Sequence, residues 1–485
     1  MTSLMKINNK SQLTGAGLFA PVVGVLIVVH NRKDDLLRLI SSIFLSDYKS
    51  FDILVLDNDS SVDLSDVELY PSLEYIKLKE NIGFVSGMIE GLTYLLQKGE
   101  YQYLWVLDSD LEVAPDALGH LVDVFKEHDD IGVAGCMTYN IYNHKIIVES
   151  GADVDLRSGI VTARNCNASK PLLENLIAVD FVASGGGGSL INVQALLATG
   201  LHDDRYHFLW EDTDFGLCLR NHGFRSVVVS DAIVYHPPFT EKRNPNIYAY
   251  YGVRNPLLTV SKYTSSCKLP LYLMCNLKRY LRIALLMMFS GSKGFARLTF
   301  KAIFDYILGR FGKAELYDIN QSIPSKKLVD LSKEYSTYII GTGSRESIEA
   351  LIEFIKIQTQ MKICLIVQDY RKTLFEGINV DQIIIYDDRS LHAIREYLKI
   401  GTSILSEGGC VINTDLKVAS PLGYFGWRGY DWDDSSGQLY RSRQCIYSLW
   451  KPAASVALGN LLAILFLPAV WIAALKHKRQ KPVMP

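Results

Sequence analysis

Three separated groups of polar residues carry side chains that can hold a metal ion or move a proton. Asp108, Ser109 and Asp110 directly follow the apolar run YLWVL, which is typical of a buried strand. Two carboxylates at alternate positions after a strand lie near one edge of the sheet, where hard divalent cations find oxygen ligands. An acidic turn after a strand is also a common helix cap or solvated loop, so this motif alone is weak.

The second group is the acidic run Trp210–Asp214, which precedes the helical sequence FGLCLRNHG. Carboxylates at a helix start complement the helix dipole, and carboxylates that crowd one another also raise each other's pKa toward the range of a general base. The third is His236, at the end of the run SVVVSDAIVYH. A lone histidine is more often packed than a ligand, but beside an acidic pair it would complete a metal site of two carboxylates and one imidazole.

Length and composition place the chain among ordinary globular proteins. The 485 residues suggest about three folding units, or one large α/β domain with appendages. The chain has 48% hydrophobic and 21% charged residues, which excludes disordered and collagen-like proteins. Fifty basic against 52 acidic side chains give a net charge of -2, so we expect no nucleic-acid partner. The 8 cysteines are scattered without a CxxC pair, which predicts reduced thiols and neither a disulfide scaffold nor a cysteine zinc site.

Alternating β-branched runs and helical patterns predict an α/β domain with a mostly parallel sheet over residues 18–262. The runs are VVGVLIVV, FDILVLD, LEYIKL, YLWVLD and RSVVVSDAIVY, and the spacing of apolar residues predicts a crossover helix over Asp34–Phe44. The N-terminus lacks a long apolar stretch, and Val22–Val29 is strand-sized. We therefore expect that the bulk of the chain is not exported.

Residues 263–330 are predicted to form basic amphipathic helices. Between Lys262 and Lys313 the sequence has ten Lys or Arg residues and a single acid, Asp305, interleaved with Leu, Met, Phe and Tyr. Apolar residues every three to four positions with basic residues between them are typical of helices on an anionic membrane surface. A solvated face on core-packing helices is an equal alternative.

A second, small α/β domain is predicted over residues 331–420. Its candidate strands are STYIIG, KICLIVQ and VDQIIIY, and its candidate helix is Ser344–Ile357. The turn Gly341–Gly343 ends a strand and opens a helix, where backbone N–H groups can hold a phosphate. Glu346 stands where the dinucleotide fingerprint requires a third glycine, which favours a tight turn in a packing domain.

The remaining region, 421–485, contains the apolar segment 453–475, which is long enough to cross a bilayer. Basic residues both precede it, at Arg441, Arg443 and Lys451, and follow it, so its orientation stays open. A membrane-spanning helix and an interfacial helix with both ends in the cytoplasm are the two alternatives.

The order and spacing of these motifs match a known family. Residues 22 to about 260 resemble the family 2 glycosyltransferases of the GT-A type, through VLIVVHNR, LDNDSS, NIGFVSG, LDSD, WEDTDFGLCLRNHGF and DAIVYH. WEDTDFGLCLRNHGF, followed by YGVRNPLL, looks most like bacterial galactofuranosyltransferases, with the rhamnosyltransferases of polysaccharide assembly as near relatives. Ser184–Gly188 departs from that pattern, because it is rich in glycine where the galactofuranosyl enzymes carry bulky aromatic residues.

The resemblance implies a role for each matching residue. Asp108, Asp110 and His236 would hold Mn²⁺ or Mg²⁺, and Asp212 would be the catalytic base, supported by Glu211 and Asp214. The implied donor-binding residues are His30, Asn31, Arg32, Asp57, Asn58, Asn81, Gly83, Ser109 and Arg254. The implied acceptor-binding residues are Trp210, Gly186 and Gly187.

The implied reaction is inverting transfer of a sugar from a nucleoside diphosphate to a lipid-linked oligosaccharide at the cytoplasmic face of the inner membrane. The donor would be UDP-galactofuranose or dTDP-rhamnose, and the product an O-antigen, capsule or cell-wall polysaccharide. A homo-oligomer or a complex with other glycan-assembly enzymes stays open. The rival of another class is a catalytically silent membrane scaffold. A nucleotidyltransferase is disfavoured, since VVHNRKDD lacks the glycine- and arginine-rich loop of those enzymes.

Overall fold

The structure is a computed structural model, which describes most of the chain between residues 22 and 478. The described residues are 22–165, 175–183, 187–237, 245–289, 293–316, 337–340, 345–358, 362–368, 375–386, 399–400, 402–404, 410–413, 428–433, 438–441 and 450–478. The predicted acceptor residue Gly186 and the turn Gly341–Gly343 lie outside them.

The first part of the chain forms a large sheet flanked by helices. The strands are β1 (Val23–Val29), β2 (Phe51–Asp57), β3 (Leu73–Lys77), β4 (Tyr103–Asp108), β5 (Glu112–Val113), β6 (Ile131–Asn140), β7 (Asn143–Glu149), β8 (Ala152–Asp155), β9 (Ile160–Ala163), β10 (Leu176–Val179), β11 (Ser189–Asn192) and β12 (Arg225–His236). The helices are α1 (Lys33–Phe44), α2 (Phe84–Lys98), α3 (Ala117–Glu127), α4 (Val193–Thr199) and α5 (Glu211–Asn221), with a short 3₁₀ helix at Ser65–Leu69.

Ten of these strands form one sheet in the order β10-β12-β6-β11-β4-β1-β2-β3, with β5 beside β12 and β7 beside β6. Strands β4, β1, β2 and β3 are parallel to one another, and β6 is parallel to β12. Strand β11 is antiparallel between β4 and β6. The remaining strands β8 and β9 form a separate hairpin. The predicted α/β class with a largely parallel central sheet is confirmed.

Alternating side chains of the central strands build a core on each face of the sheet. Val25 and Ile27 of β1 pack on the side of α1 and α3, whereas Leu26 and Val28 pack on the side of α2 and α4. All four are buried because strands in a sheet covered on both faces have no solvent side. Burial on both faces of the sheet explains why the sequence of β1 is continuously apolar.

Four helices pack together after the sheet. They are α6 (Pro245–Tyr263), α7 (Leu269–Phe289), α8 (Lys293–Leu308) and, far along the chain, α10 (Trp450–Lys478), and they share one apolar cluster. Helix α10 contains the segment Ala454–Lys478, which is long and apolar enough to cross a membrane, with a mean hydropathy of 2.2 in its most apolar window. Only 22% of that window is buried.

Between α8 and α10 the chain forms a second sheet. Its strands are β13 (Thr337–Ile340), β14 (Ile363–Gln368), β15 (Gln382–Tyr386), β16 (Cys410–Asn413), β17 (Arg428–Asp433) and β18 (Gln438–Arg441), in the order β15-β14-β13-β16-β17-β18. The helix α9 (Arg345–Gln358) follows β13. This sheet extends to Arg441, past the boundary at 420 that the sequence suggested, because β17 and β18 add to its edge.

Candidate active site

The strand order of the parallel part of the sheet reverses between β1 and β4, which makes this a topological switch point. From β1 the chain moves to β2 and β3 on one side, and then crosses to β4 on the other side. Val28 of β1 pairs with Asp108 of β4, so the carboxyl ends of both strands lie side by side. Open α/β sheets bind their ligands in the crevice at such a point. The first acidic motif therefore lies where the topology favours a ligand.

Asp108, Asp110 and His236 meet at this edge. Each offers one ligand atom, and these atoms all lie within 4.8 Å of one another. The pairing of β5 with β12 explains the meeting, because Glu112 lies opposite Tyr235, next to His236. The sequence predicted this trio from residue types, and the structure brings the three side chains together.

The donor set fits a hard divalent cation. The ring Nδ1 of His236 donates a hydrogen bond to the carbonyl of Pro237, which leaves Nε2 facing Asp110 Oδ1 at 3.4 Å. An imidazole oriented by a backbone carbonyl and aimed at two carboxylates is a common arrangement in Mn²⁺ and Mg²⁺ sites. The three residues therefore fit the cation that the sequence predicted.

Burial and mutual repulsion perturb these groups. Burial, followed by the charge of Asp110, raises the pKa of Asp108 to about 7. Burial also acts to raise the pKa of Asp110, but the hydrogen bond and charge of His236 and the charge of Arg32 outweigh it and hold this pKa below its ordinary value. Such crowding of negative charge in a buried place is relieved by a bound cation.

The second acidic group begins helix α5 close to the same site. Leu209 and Trp210 both have left-handed backbone angles, with φ of 65° and 73°, which turn the chain sharply into the helix. Burial, and then the charge of Asp212, raise the pKa of Glu211 well above its ordinary value. The charge of Asp212 also acts on Asp108, so the helix start and the trio share one electrostatic environment. Trp210 is half-buried and packs against the cluster of the four helices.

Asp214 faces away from this environment into a buried ion-pair network. Its carboxylate lies 2.6 Å from Lys262 Nζ and accepts a hydrogen bond from the Tyr206 hydroxyl at 3.1 Å. Lys262 also pairs with Asp203 at 2.7 Å, and Asp203 pairs with Arg205. The sequence predicted that Asp214 supports the base Asp212, and it did not indicate the pairing with Lys262 or the contribution of Asp203. Lys262 belonged to the basic run assigned to the membrane, and only tertiary structure reveals its buried partners.

The predicted donor residues form two groups. His30, Asn31 and Arg32 are exposed at the end of β1, and Arg32 Nη1 donates to Asp110 Oδ2 at 2.6 Å. Ser109 is buried between the two acids of the trio. The exposed members of this group therefore lie on the solvent side of the carboxyl edge of the sheet, beside the trio.

The second group holds the neighbouring loop in shape. Asn58 binds Ile82 N and Gly83 O, and Asn81 Oδ1 accepts from Gly83 N at 2.9 Å. Asp57 is fully buried, and its oxygens accept from Ser60 N and the Tyr75 hydroxyl. In this arrangement Asp57 orders the loops around the predicted pocket through protein contacts.

Arg254, predicted to contact the diphosphate, lies fully buried in helix α6. Its guanidinium donates to the carbonyls of Gly312 at 2.8 Å and Arg205 at 3.1 Å, and it lies over the rings of Tyr250 and Tyr251. These donors are used by the protein itself, and they tie the loop before α5 to the segment after α8.

Of the predicted acceptor glycines, Gly187 belongs to the described residues. A Cβ atom on Gly187 would lie 2.8 Å from the carbonyl oxygen of Ala183, and the adjacent Gly188 carbonyl accepts from the indole of Trp105 at 2.9 Å. The absence of a side chain at Gly187 thus allows close backbone packing near β4.

Similarity to known proteins agrees with this geometry. Residues 24–159 match the family model for glycosyl transferase family 2. The match runs from β1 through the DxD motif to the β8–β9 turn, and it confirms the family resemblance and the GT-A-like fold class for that part of the chain. The galactofuranosyl or rhamnosyl subtype stays a prediction. No curated protein is significantly similar to this chain.

Three solved structures are similar to part of this chain. GalNAc-T7 with UDP, GalNAc and Mn²⁺ is 17% identical with a TM-score of 0.43, over 52% of this chain and 50% of that one. TarS of S. aureus is 16% identical with a TM-score of 0.39, over 59% and 47%. The mannosyltransferase PcManGT from Pyrobaculum calidifontis, with GDP-Man and Mn²⁺, is 13% identical with a TM-score of 0.36, over 60% and 76%. This chain spans about half the length of the first two.

Proposed function

We propose that this chain is a metal-dependent, inverting glycosyltransferase that moves a sugar from a nucleoside diphosphate to a hydroxyl group. The observation that carries the proposal is the meeting of Asp108, Asp110 and His236 at the switch point of a sheet whose first part matches family 2. A carboxylate-rich helix start beside the trio supports it, because the reaction needs a base as well as a cation.

In this proposal Asp108, Asp110 and His236 would hold Mn²⁺ or Mg²⁺, which would supply positive charge for the diphosphate of the donor. His30 and Asn31, exposed at the end of β1, contact the nucleoside. The loop shaped by Asn81 and Gly83 closes the same side of the pocket. Arg254 holds the surrounding loops in position.

Asp212 takes the proton of the acceptor hydroxyl. Burial and the charge of Asp212 raise the pKa of the neighbouring Glu211 well above its ordinary value, which disfavours the ionised form that a base requires. Among the described residues, Oε2 of Glu211 has no hydrogen-bond partner although the side chain is buried. A buried carboxyl oxygen that has no hydrogen-bond partner is suited to bind a hydroxyl group of a sugar.

The transfer occurs in one displacement. The acceptor oxygen bonds to the anomeric carbon from the face opposite the diphosphate, while the bond from that carbon to the diphosphate oxygen breaks. The proton passes to Asp212 and the bonding electrons leave with the nucleoside diphosphate. The configuration at the anomeric carbon is inverted, and no covalent enzyme intermediate forms.

For the substrates we propose UDP-galactofuranose as the donor and a lipid-linked glycan as the acceptor. The run WEDTDFGLCLRNHGF supports this donor through its resemblance to the galactofuranosyltransferases. The apolar helix α10 supports a lipid-linked acceptor, because a protein held at a bilayer meets such molecules at its surface. The place of action is the cytoplasmic face of the inner membrane, in the synthesis of cell-surface polysaccharide.

The test combines donor binding with turnover. Calorimetry with Mn²⁺ present compares UDP-galactofuranose, UDP-galactose, UDP-glucose and dTDP-rhamnose, and we expect metal-dependent binding of UDP-galactofuranose. Asp212→Asn should lower transfer by about 10²–10⁴-fold and leave donor binding intact. The matched control is Asp204→Asn, which changes an exposed carboxylate in the loop before α5 and should leave the rate unchanged.

Two outcomes would refute parts of this proposal. Binding of none of the four donors would favour the catalytically silent scaffold. A product whose anomeric configuration, read by NMR, is that of the donor would exclude the single displacement.

A further inference from the structure

Helix α10 lies along α7 over most of its length. In the first half of α10, a Cβ atom on Gly459 would lie 3.0 Å from the backbone nitrogen of Arg282, so the two helices approach closely there. At the C-terminal end of α10, Lys478 Nζ donates to the carbonyl of Thr264, just before α7, at 2.6 Å. His477 Nε2 donates to the carbonyl of Tyr306, at the end of α8. The two helices are therefore antiparallel, and α10 is fixed to the same body at its C-terminal end and at Gly459, in its first half.

The contacts between Gly459 and Lys478 cover a length of about 28 Å at 1.5 Å per residue, close to the thickness of the hydrocarbon core of a bilayer. A spanning α10 would thus carry the adjoining part of α7 into the hydrocarbon. That part contains Lys278 and Arg279, which lie near the middle of α7. Charged side chains at that depth are rare and occur where they face protein or water-filled cavities.

The sheet domain also contacts this middle part of α7. Arg279 Nη1 donates to the carbonyl of Gly159 at 2.7 Å, and Asn276 Nδ2 donates to the carbonyls of Leu156 and Arg157 at 3.1 Å. These carbonyls belong to the turn between β8 and β9. A bilayer that surrounded the α7–α10 pair would have to contain this turn and its charged side chains, which the hydrocarbon excludes.

The opposite side of α10 is apolar and exposed. Leu458, Leu461, Leu465 and Ile472 are 43%, 53%, 65% and 68% exposed, and their spacing places them on one face of the helix. The buried side is a separate stripe that includes Ala463, Val470, Ala473 and Ala474. Helix α10 thus has one face for the protein and one face without a partner among the described residues.

Helix α8 continues this face. Phe304 is 49% exposed and its ring meets Phe466 of α10 edge-on, with ring centroids 5.5 Å apart. Leu308, one turn further, is 58% exposed. Lys293 and Arg297 lie on the same stripe of α8, toward its start, and are exposed. Apolar and basic side chains therefore lie next to one another on one surface.

The charge of this surface is of one sign. In α7, α8 and α10 the single acid is Asp305, which is buried and paired with Lys301. On α7, Lys278 and Arg282 are exposed. Two copies of such a surface would repel one another, whereas an anionic lipid layer would attract it.

We propose that the exposed faces of α8 and α10, together with the exposed cations of α7 and α8, form a docking surface for an anionic bilayer, on which α10 lies in the plane of the membrane and does not cross it. This docking surface is independent of the sugar chemistry. It fixes the sheet domain and both ends of α10 on one side of the bilayer.

The first test reads the topology in the full chain. An epitope tag is added at each end, and inverted membrane vesicles from a bacterial host are treated with protease. We expect both tags to be cleaved to the same extent without detergent. Protection of the C-terminal tag alone, removed by detergent, would show a spanning helix and overturn the proposal.

The second test reads the surface itself by flotation of the purified chain with phosphatidylcholine vesicles, with or without phosphatidylglycerol. The variant Leu461→Asn/Leu465→Asn/Ile472→Asn should bind at least tenfold more weakly to both. Lys278→Gln and Arg282→Gln should each weaken binding about fivefold to vesicles that contain phosphatidylglycerol, and should leave binding to pure phosphatidylcholine vesicles unchanged. The matched control is Leu197→Asn, on α4 of the sheet domain, where the side chain is 50% exposed.

A circular dichroism spectrum and a melting temperature like those of the unchanged chain will show that each variant is folded. Equal binding of the triple variant and the unchanged chain would overturn the proposal. So would a lipid-free dimer that the triple variant converts to a monomer, because a second copy would then be the occupant of this surface.

Discussion

Lys262→Met tests what holds the start of α5 in place. The change removes an ammonium group that lies 2.6 Å from Asp214 and 2.7 Å from Asp203, and it keeps an apolar stem of similar length. Asp203 retains Arg205, whereas the carboxylate of Asp214 retains, among the described residues, the neutral Tyr206 hydroxyl as its donor. Removing one partner of a buried ion pair costs about 3–5 kcal/mol. Since Arg205 still compensates the charge of Asp203, we expect Lys262→Met to destabilise the folded protein by about 3 kcal/mol, at the low end of this range.

The cost should depend on pH with a definite sign. Burial raises the pKa of Asp214 although the charge of Lys262 opposes it, so the pKa rises further in Lys262→Met. A carboxyl group with a raised pKa destabilises the folded state when it is ionised, and protonation at lower pH removes that penalty. The destabilisation should therefore be larger at about pH 8 than at about pH 5.

Hydrogen–deuterium exchange of peptides that cover α5 and α6 measures the free energy of local opening. Lys262→Met/Asp214→Asn should be less destabilised than Lys262→Met, because no ionised carboxylate is left without a cation. Lys126→Met is the matched control: Lys126 pairs with Asp123 at 2.8 Å on the surface, and its loss should cost less than about 1 kcal/mol. A cost for Lys262→Met as small as that of the control, without pH dependence, would refute the role of this network.

Two further changes test the cation site and the loop beside it. Asp110→Asn should weaken Mn²⁺ binding, measured by electron paramagnetic resonance, by about 100-fold or more, whereas Asp116→Asn at an exposed site should leave it unchanged. Gly83→Ala should destabilise by about 1–3 kcal/mol in urea unfolding, because Gly83 has a φ of 90° and its Cβ would lie 2.2 Å from the ring of His207. Gly119→Ala, in α3 with nothing near its Cβ, should stabilise by about 0.5–1 kcal/mol, and equal effects at both glycines would contradict this reading.

Local pattern predicted the parts of the fold that local forces determine. The apolar runs became β1, β2, β4 and β12, and the amphipathic spacing became α1 at Lys33–Phe44. Residue types at strand ends predicted the trio, and the pairing of β5 with β12 brings His236 to the two acids. The apolar runs did not predict the antiparallel strand β11 between β4 and β6. Its pairing joins segments that are far apart in sequence, and local pattern carries no information about such pairing.

The roles of charged residues in the interior could not be predicted in the same way. Asp214 and Glu211 are three positions apart on one helix start, and only tertiary packing directs one to Lys262 and leaves the other with an oxygen that has no partner among the described residues. Arg254 likewise has the residue type of a phosphate ligand, but the carbonyls of Gly312 and Arg205 lie within its reach. Residue type indicates which interactions a side chain can make, and the neighbouring backbone decides which it makes.

The same distinction governs the C-terminal helix. Hydropathy measures the length and composition of α10, and both are compatible with a span. The orientation depends instead on the helix beside it, and α7 carries Lys278 and Arg279 and receives the β8–β9 turn. A helix that spans alone must be apolar on all sides, whereas α10 needs only one apolar face if α7 covers the other. The close approach at Gly459 is therefore the contact on which the in-plane orientation depends, since it holds α10 against a helix that cannot enter the bilayer.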